Sequence, residues 1–336
     1  MKLSEFIYDF PKELIAQEPL RERDASRLMV LDRAIGQISE RVFRGVEEYL
    51  SEGDCLVLND TRVIPVRLYG ERKTGAKVEI FLLDIEGEKL KALVRPSKRV
   101  KEGEIISLEG GFEAEILGNA EIGRFITLNA PIDKILEYGH VPLPPYISRK
   151  DNQRDKNDYQ TVYSCNPGAS ASPTAGLHFT DKLIDRIKKK GVNVVYITLH
   201  TSYGTFAPVK EEKIEDHVMY KEYYSISEEA AETINTSKRN GGRVFAVGTT
   251  AIRVLETAAI KKDRVKACSG ETGLFIYPGY DFKVVDAVIT NFHLPGSTLL
   301  MLVSAFAGKK RIFEAYQKAI DLKFRFFSYG DAMLIL

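Results

Sequence analysis

No apolar run in this sequence is long enough to cross a bilayer. The longest, residues 299–306, already contains Ser304, and a spanning helix needs about 20 such residues. Lys2, Glu5 and Asp9 interrupt the N-terminal apolar residues, so no secretory signal is read there. The only cysteines, Cys55, Cys165 and Cys268, are odd in number and far apart, which excludes a disulfide framework and a CxxC metal knuckle. A cytoplasmic protein with reduced thiols is expected. Charge of one sign is also missing: 48 basic against 47 acidic residues leave a net charge of +1. A nucleic-acid partner would therefore have to be held by local runs such as 98–101, 149–156, 188–190, 261–266 and 309–311, each of which read alone is a solvated face. No GxGxxG follows a strand pattern and no GxxxxGK[ST] occurs, which argues against a Rossmann dinucleotide site and a P-loop. None of the five histidines has HExxH spacing, so no metal site is expected.

What is present reads as α/β. At 336 residues the chain should form about two domains. A helix is expected from an N-cap at Ser39, with Val42, Phe43, Val46, Tyr49 and Leu50 on one face, followed by a buried strand at 55–58. Short apolar segments at 63–69, 76–83, 90–94, 105–108, 112–117 and 125–128, separated by turn residues, then point to a small barrel or sandwich. Pro142, Pro144 and Pro145 mark a return linker. Helix and strand alternate afterwards. Helices start at Thr180, Ser227, 251 and Ser297, and another runs from 311 to 322; strands run over 192–199, 243–247 and 284–290. The expected architecture is a larger α/β domain with a mainly parallel sheet, formed by 1–62 and 150–336, and an inserted small β domain, 63–149.

In such a sheet ligands bind beyond the carboxyl ends of the strands. Polar clusters follow four of the expected strands: Asn59-Asp60-Thr61-Arg62, His200-Thr201-Ser202-Tyr203-Gly204, Gly248-Thr249-Thr250 and Asn291-Phe292-His293. Turn and capping chemistry explains the third most simply. Histidine is not a turn residue, so His200 and His293 are the more informative members; His140 and His217 read as structural.

The motifs then become recognisable. YDFPKELIAQ at 8–17 and RDASRL at 23–28 resemble the opening of the S-adenosylmethionine:tRNA ribosyltransferase-isomerase family of queuosine biosynthesis. GDCLVLNDTR (53–62), GHVPLPPYI (139–147), PTAGLHFT (173–180), DAVITNFHLPGSTLLML (286–302) and RFFSYGDAM (325–333) follow in the family's order. One departure is LHTSYGTFAPV at 199–209, where the family reads LHVGxGTFxPV.

The resemblance implies transfer of the ribosyl part of S-adenosylmethionine onto a 7-aminomethyl-7-deazaguanine at the wobble position of a tRNA. The sugar is rearranged to give epoxyqueuosine, with adenine and methionine released. It also implies an α/β domain with a smaller β-barrel, no metal and no separate cofactor, S-adenosylmethionine being a co-substrate. The partner is the tRNA anticodon stem-loop, bound as a splayed single strand; no membrane and no obligate protein partner are expected, and the chain should be a monomer. From motif position and strand-end placement, His178, His200 and His293 are acid/base candidates. Asp24, Asp60 and Asp331 are candidates for the guanine-like edge or sugar hydroxyls, Arg62 and Arg253 for carboxylate or phosphate, and Thr174 and Asn291 for substrate binding. Tyr277, Phe292 or Phe327 could face the sulfonium. The rival readings are an S-adenosylmethionine-dependent RNA methyltransferase and a non-catalytic RNA-binding module.

Overall fold

A computed structural model describes residues 1–85, 87–202, 204 and 209–336. The chain forms two compact units: Met1–Arg62 with Pro144–Arg149 and Asp158–Leu336, and Val63–Leu143 with Lys150–Asn157.

The large unit is built on a nine-stranded sheet. Its strands lie in the order Cys268–Thr272, Glu222–Ile226, Asn193–Leu199, Cys55–Asn59, Val244–Val247, Ala287–Asn291, Ala332–Ile335, Arg27–Asp32 and Gln37–Val42. Cys55–Asn59 is the middle of a parallel block, with Val57 opposite both Val195 and Ala246. Side chains alternate across a strand, and this one is buried on both faces. Cys55 and Val57 enter one core cluster; Leu56 and Leu58 enter the other. Helices Glu228–Arg239, Gly248–Ala258, Thr298–Ala307 and Lys309–Asp321 contribute to the first cluster, and Asp181–Lys189 to the second. Three of these helices start where a hydroxyl accepts a free backbone N–H: Thr180 from Leu183, Ser227 from Ala230 and Ser297 from Leu300.

Two expectations need correction. The stretch read as one helix from Ser39 is an edge strand, Gln37–Val42, followed by a 3₁₀ helix, Phe43–Tyr49. All six residues of that strand pair with Arg27–Asp32. The apolar spacing was real but belongs to the 3₁₀ helix alone, where Phe43 and Val46 are buried. The sheet is also more mixed than expected. Arg27–Asp32 runs parallel to Ala332–Ile335, but the latter runs antiparallel to Ala287–Asn291, and Glu222–Ile226 is antiparallel to both its neighbours.

The small unit contains a closed antiparallel barrel in the order Arg124–Leu128, Leu90–Arg95, Lys77–Leu82, Arg67–Glu71, Ile105–Leu108 and Glu113–Asn119. These are the six segments expected from turn spacing. Leu68, Val78, Ile80, Ala92, Ile106, Ala114, Ile116 and Ile126 are buried. Gly70 permits close strand approach, since a Cβ there would sit 2.6 Å from the Ser107 carbonyl.

Candidate functional site

A cleft opens at the carboxyl ends of the parallel strands of the large unit, enclosing about 700 Å³ of empty space, some of it open solvent. Three of the four polar clusters reach it. Gly248, Thr249 and Thr250 begin a helix directly after Val244–Val247, Thr290 to Leu294 leave Ala287–Asn291, and Thr201 follows Asn193–Leu199. Ser172, Pro173 and Thr174 form another wall, and Tyr146, Phe327 and Ser328 a further one. Among the described residues, none that lines the cleft is Asp, Glu, Lys or Arg.

His293 lines the cleft with a buried ring. Its Nε2 lies 2.8 Å from the Thr290 hydroxyl. Tyr8 donates to its carbonyl at 2.6 Å, and its own N–H donates to Tyr316 at 2.9 Å, so its backbone is clamped on both sides. Burial depresses its pKa to about 3, because the charged ring cannot be solvated there. The imidazole is therefore neutral at neutral pH. In the tautomer that donates from Nε2 to Thr290, Nδ1 carries the lone pair that can accept a proton.

His178 stands one layer back. It is buried, does not line the cleft, and has both ring nitrogens engaged. The Asn291 amide donates to Nε2 at 3.2 Å, which leaves the proton on Nδ1 to be donated to Ser26 at 2.8 Å. Burial, assisted by the charges of Arg325 and Arg23, lowers its pKa to about 3. The same Asn291 amide donates to the Phe327 carbonyl at 3.1 Å, and Thr174 donates to its oxygen at 3.4 Å. Phe327 sits at φ 69, a left-handed conformation costly for an aromatic residue. Asn291 thus ties His178 to the strained corner that walls the cleft.

The structure brings Thr174, Asn291 and His293 together, with His178 behind them; the other candidates lie outside the lining. His200 bonds through Nδ1 to Thr61 at 2.8 Å and stacks on Tyr223 with centroids 5.5 Å apart. Desolvation lowers its pKa, opposed by the charge of Asp60. Asp60 accepts from Thr198 at 2.7 Å and Asn166 at 3.0 Å, lining a separate groove along Asn193–Leu199. Arg62 is solvent-exposed. Asp24 faces Arg44 at 3.5 Å and accepts from Thr180 at 3.4 Å. Arg253 is buried, paired with Glu222, and donates to the carbonyls of Leu274 at 3.1 Å and Thr272 at 3.2 Å. Asp331 accepts the backbone N–H groups of Arg27 at 3.0 Å and Arg325 at 2.7 Å, which makes it a turn clamp. Burial raises its pKa in spite of those two bonds. Of the aromatic candidates, Phe292 and Phe327 line the cleft and Tyr277 does not.

Sequence reasoning missed Ser26, Tyr8, Tyr316 and Ser172, whose roles rest on long-range contacts that no local pattern signals. Tyr203 and Thr205 to Pro208 of the departing motif lie outside the described residues. Among the described residues no group of three His, Cys, Asp or Glu could hold a metal ion, and no helix is long and apolar enough to cross a membrane.

Fold and site together define an α/β protein with an uncharged, hydroxyl-rich cleft at a strand-end crevice and a neutral histidine on its wall. Residues 3–335 match the family model described as queuosine biosynthesis protein. The chain is 53% identical, over the full length of both proteins, to the S-adenosylmethionine:tRNA ribosyltransferase-isomerase of Caldanaerobacter subterraneus subsp. tengcongensis. It is 52% identical, also over both full lengths, to that of Halothermothrix orenii. The crystal structure of S-adenosylmethionine tRNA ribosyltransferase from Thermotoga maritima matches with a TM-score of 0.58 and 41% identity, covering 99% of this chain and 100% of that one. The chain belongs to the queuosine biosynthesis protein family.

Proposed function

We propose that this chain is an S-adenosylmethionine:tRNA ribosyltransferase-isomerase. In this reading it moves the ribosyl part of S-adenosylmethionine onto the amine of 7-aminomethyl-7-deazaguanine at the tRNA wobble position, giving epoxyqueuosine with adenine and methionine released. Full-length relationship to proteins named for that activity supports it. The observation that carries the site assignment is His293, held through Nε2 by Thr290 on the wall of a strand-end cleft lined, among the described residues, by no charged side chain.

The chemistry follows from the substrate. A sulfonium acidifies the carbon beside it, and the enzyme must supply a base, best one whose pKa lies near the working pH. Burial keeps the His293 ring proton-free but holds it below that optimum. His293 Nδ1 takes that proton, while Thr290 orients the ring through Nε2. Imidazolium is costly in this buried place, so the proton moves on to the departing adenine rather than resting on the ring. The substrate amine is itself a nucleophile: it forms the new bond to the sugar and gives up a proton, while methionine leaves with the electrons of its carbon–sulfur bond, so no covalent enzyme intermediate is required. Phe327 and Phe292 exclude water, and an aromatic face toward the sulfonium contributes about 0.5–2 kcal/mol depending on desolvation. Asn291 and His178 position the Phe327 wall. The enzyme works in the cytoplasm as a monomer, docking the anticodon loop with its wobble base unstacked. It needs no metal or separate cofactor.

The methyltransferase alternative is not supported by the relatives, which are named for ribosyl transfer. The test of the assignment is His293→Ala, with His293→Gln as a variant that keeps a hydrogen bond to Thr290. Both should fold, retain S-adenosylmethionine binding and lose turnover by about 100-fold or more, the usual range for a general base. Near-normal turnover in either would remove His293 from the mechanism.

A further inference from the structure

The amino end of helix Gly248–Ala258 differs from those of the three hydroxyl-capped helices. Its N-cap residue is Val247, which offers no side-chain acceptor, so the first-turn N–H groups are left without a cap. It opens on the cleft through Gly248, Thr249 and Thr250. Independently, three buried hydroxyls lining the same cleft have no hydrogen-bond partner among the described residues: Ser172, Thr201 and Thr250, which are 7%, 3% and 9% exposed. An unmatched buried hydroxyl is destabilising, and three around one space point to a ligand that completes them. Gly248 sits at φ 84, a backbone conformation that favours glycine; a Cβ there would lie in ordinary contact with the Thr250 hydroxyl at 3.5 Å and the Ala175 Cβ at 3.7 Å.

We infer that this cradle holds the α-carboxylate of the amino-acid part of the co-substrate. The inference rests on the assignment of the cleft to S-adenosylmethionine and adds which end of that molecule sits where. A helix N-terminus supplies N–H donors and a positive potential, both suited to an anion. A carboxylate only accepts, over about four lone-pair directions, and hydroxyls can turn to donate to it. Adenine presents alternating donors and acceptors, and a sugar diol needs an acceptor, which uncapped N–H groups are not. Among the described residues no Arg or Lys lines the cleft, so neutral donors carry the recognition. With the carboxylate at this end, the sulfonium lies farther along the amino-acid chain, toward the aromatic wall.

The test is equilibrium dialysis of the full chain with S-adenosylmethionine and with its decarboxylated analogue, which keeps the adenosine, sulfonium and amine. Both are measured in the presence of tRNA carrying unmodified guanine, so that no turnover occurs. Wild type should bind the carboxylated ligand at least about tenfold more tightly, the scale of hydrogen bonds to a charged group. Thr250→Val should remove about tenfold from that affinity, leave the analogue's unchanged, and be rescued by Thr250→Ser. Equal binding of both ligands by wild type would overturn this placement while leaving the cleft assignment standing. Equal weakening of both by Thr250→Val would likewise move the hydroxyls to the adenosine part. Binding of neither ligand would overturn the cleft assignment and this inference with it.

Discussion

Replacing Asn291 by alanine should loosen the cleft in a measurable way. Its amide makes two buried donations, to His178 Nε2 at 3.2 Å and to the Phe327 carbonyl at 3.1 Å. Truncation leaves both acceptors buried and unmatched, at about 1–3 kcal/mol each, and therefore about 2–6 kcal/mol in all. Water entering from the cleft pulls the figure toward the lower end. The 3.4 Å contact from Thr174 is long and adds little. The loss should fall on the corner at Phe327, whose φ of 69 is held against a strain of about 1–3 kcal/mol. A lower unfolding midpoint by circular dichroism should accompany a KM for S-adenosylmethionine raised by about tenfold, which corresponds to about 1.4 kcal/mol. Asn291→Asp keeps the size and can still accept from Thr174, but cannot donate while ionised. It should resemble alanine at pH 8 and recover as acid protonates the histidine to pair with it. A variant with wild-type midpoint and KM would refute the idea that Asn291 holds this wall.

Other expectations follow from the same contacts. His178 and His293, both brought from 6.5 to about 3 by burial, remain neutral in the folded protein while the unfolded chain takes up protons near pH 6.5. Their contribution to stability is complete above about pH 6.5 and declines toward pH 3, on the order of 1 kcal/mol per pH unit for each ring; replacing both by glutamine should flatten denaturation curves across that window. Arg253→Met should cost about 3–5 kcal/mol by removing the cation that balances the buried Glu222 carboxylate, and adding Glu222→Met should recover much of it, as thermal melts will register. If Arg253 bound substrate instead, the double variant would regain stability but not activity. Binding of tRNA should weaken steeply between 50 and 200 mM salt if local basic runs dock it; a flat response in filter binding would exclude them.

Much of the fold was written in local pattern. The Cys55–Asn59 strand is apolar on both faces because both faces are covered, and the six barrel strands are spaced by turns that cannot continue a strand. Hydroxyl caps at Thr180, Ser227 and Ser297 marked three helix starts. What stayed hidden depends on distant partners. Arg27–Asp32 and Ala332–Ile335 pair from opposite ends of the chain, and nothing within either segment announces that register. The site divided in the same way. Strand-end placement pointed to Asn291 and His293, and the motif at 173–180 to Thr174, all of which line one cleft, whereas Asp331 and Arg253 direct their polar side chains to backbone groups and to Glu222. Thr250 read as a capping residue, since only the packed structure shows its hydroxyl without a partner.

A molecule usually met as a methyl donor gives up its sugar in this reaction. Purified protein should be incubated with tRNA bearing 7-aminomethyl-7-deazaguanine and S-adenosylmethionine labelled separately in the methyl group and the ribose. Ribose label should enter the tRNA, methyl label should appear in free methionine, and one free adenine should be released per transfer. Methyl label in the RNA, or adenine still attached to the sugar, would contradict ribosyl transfer.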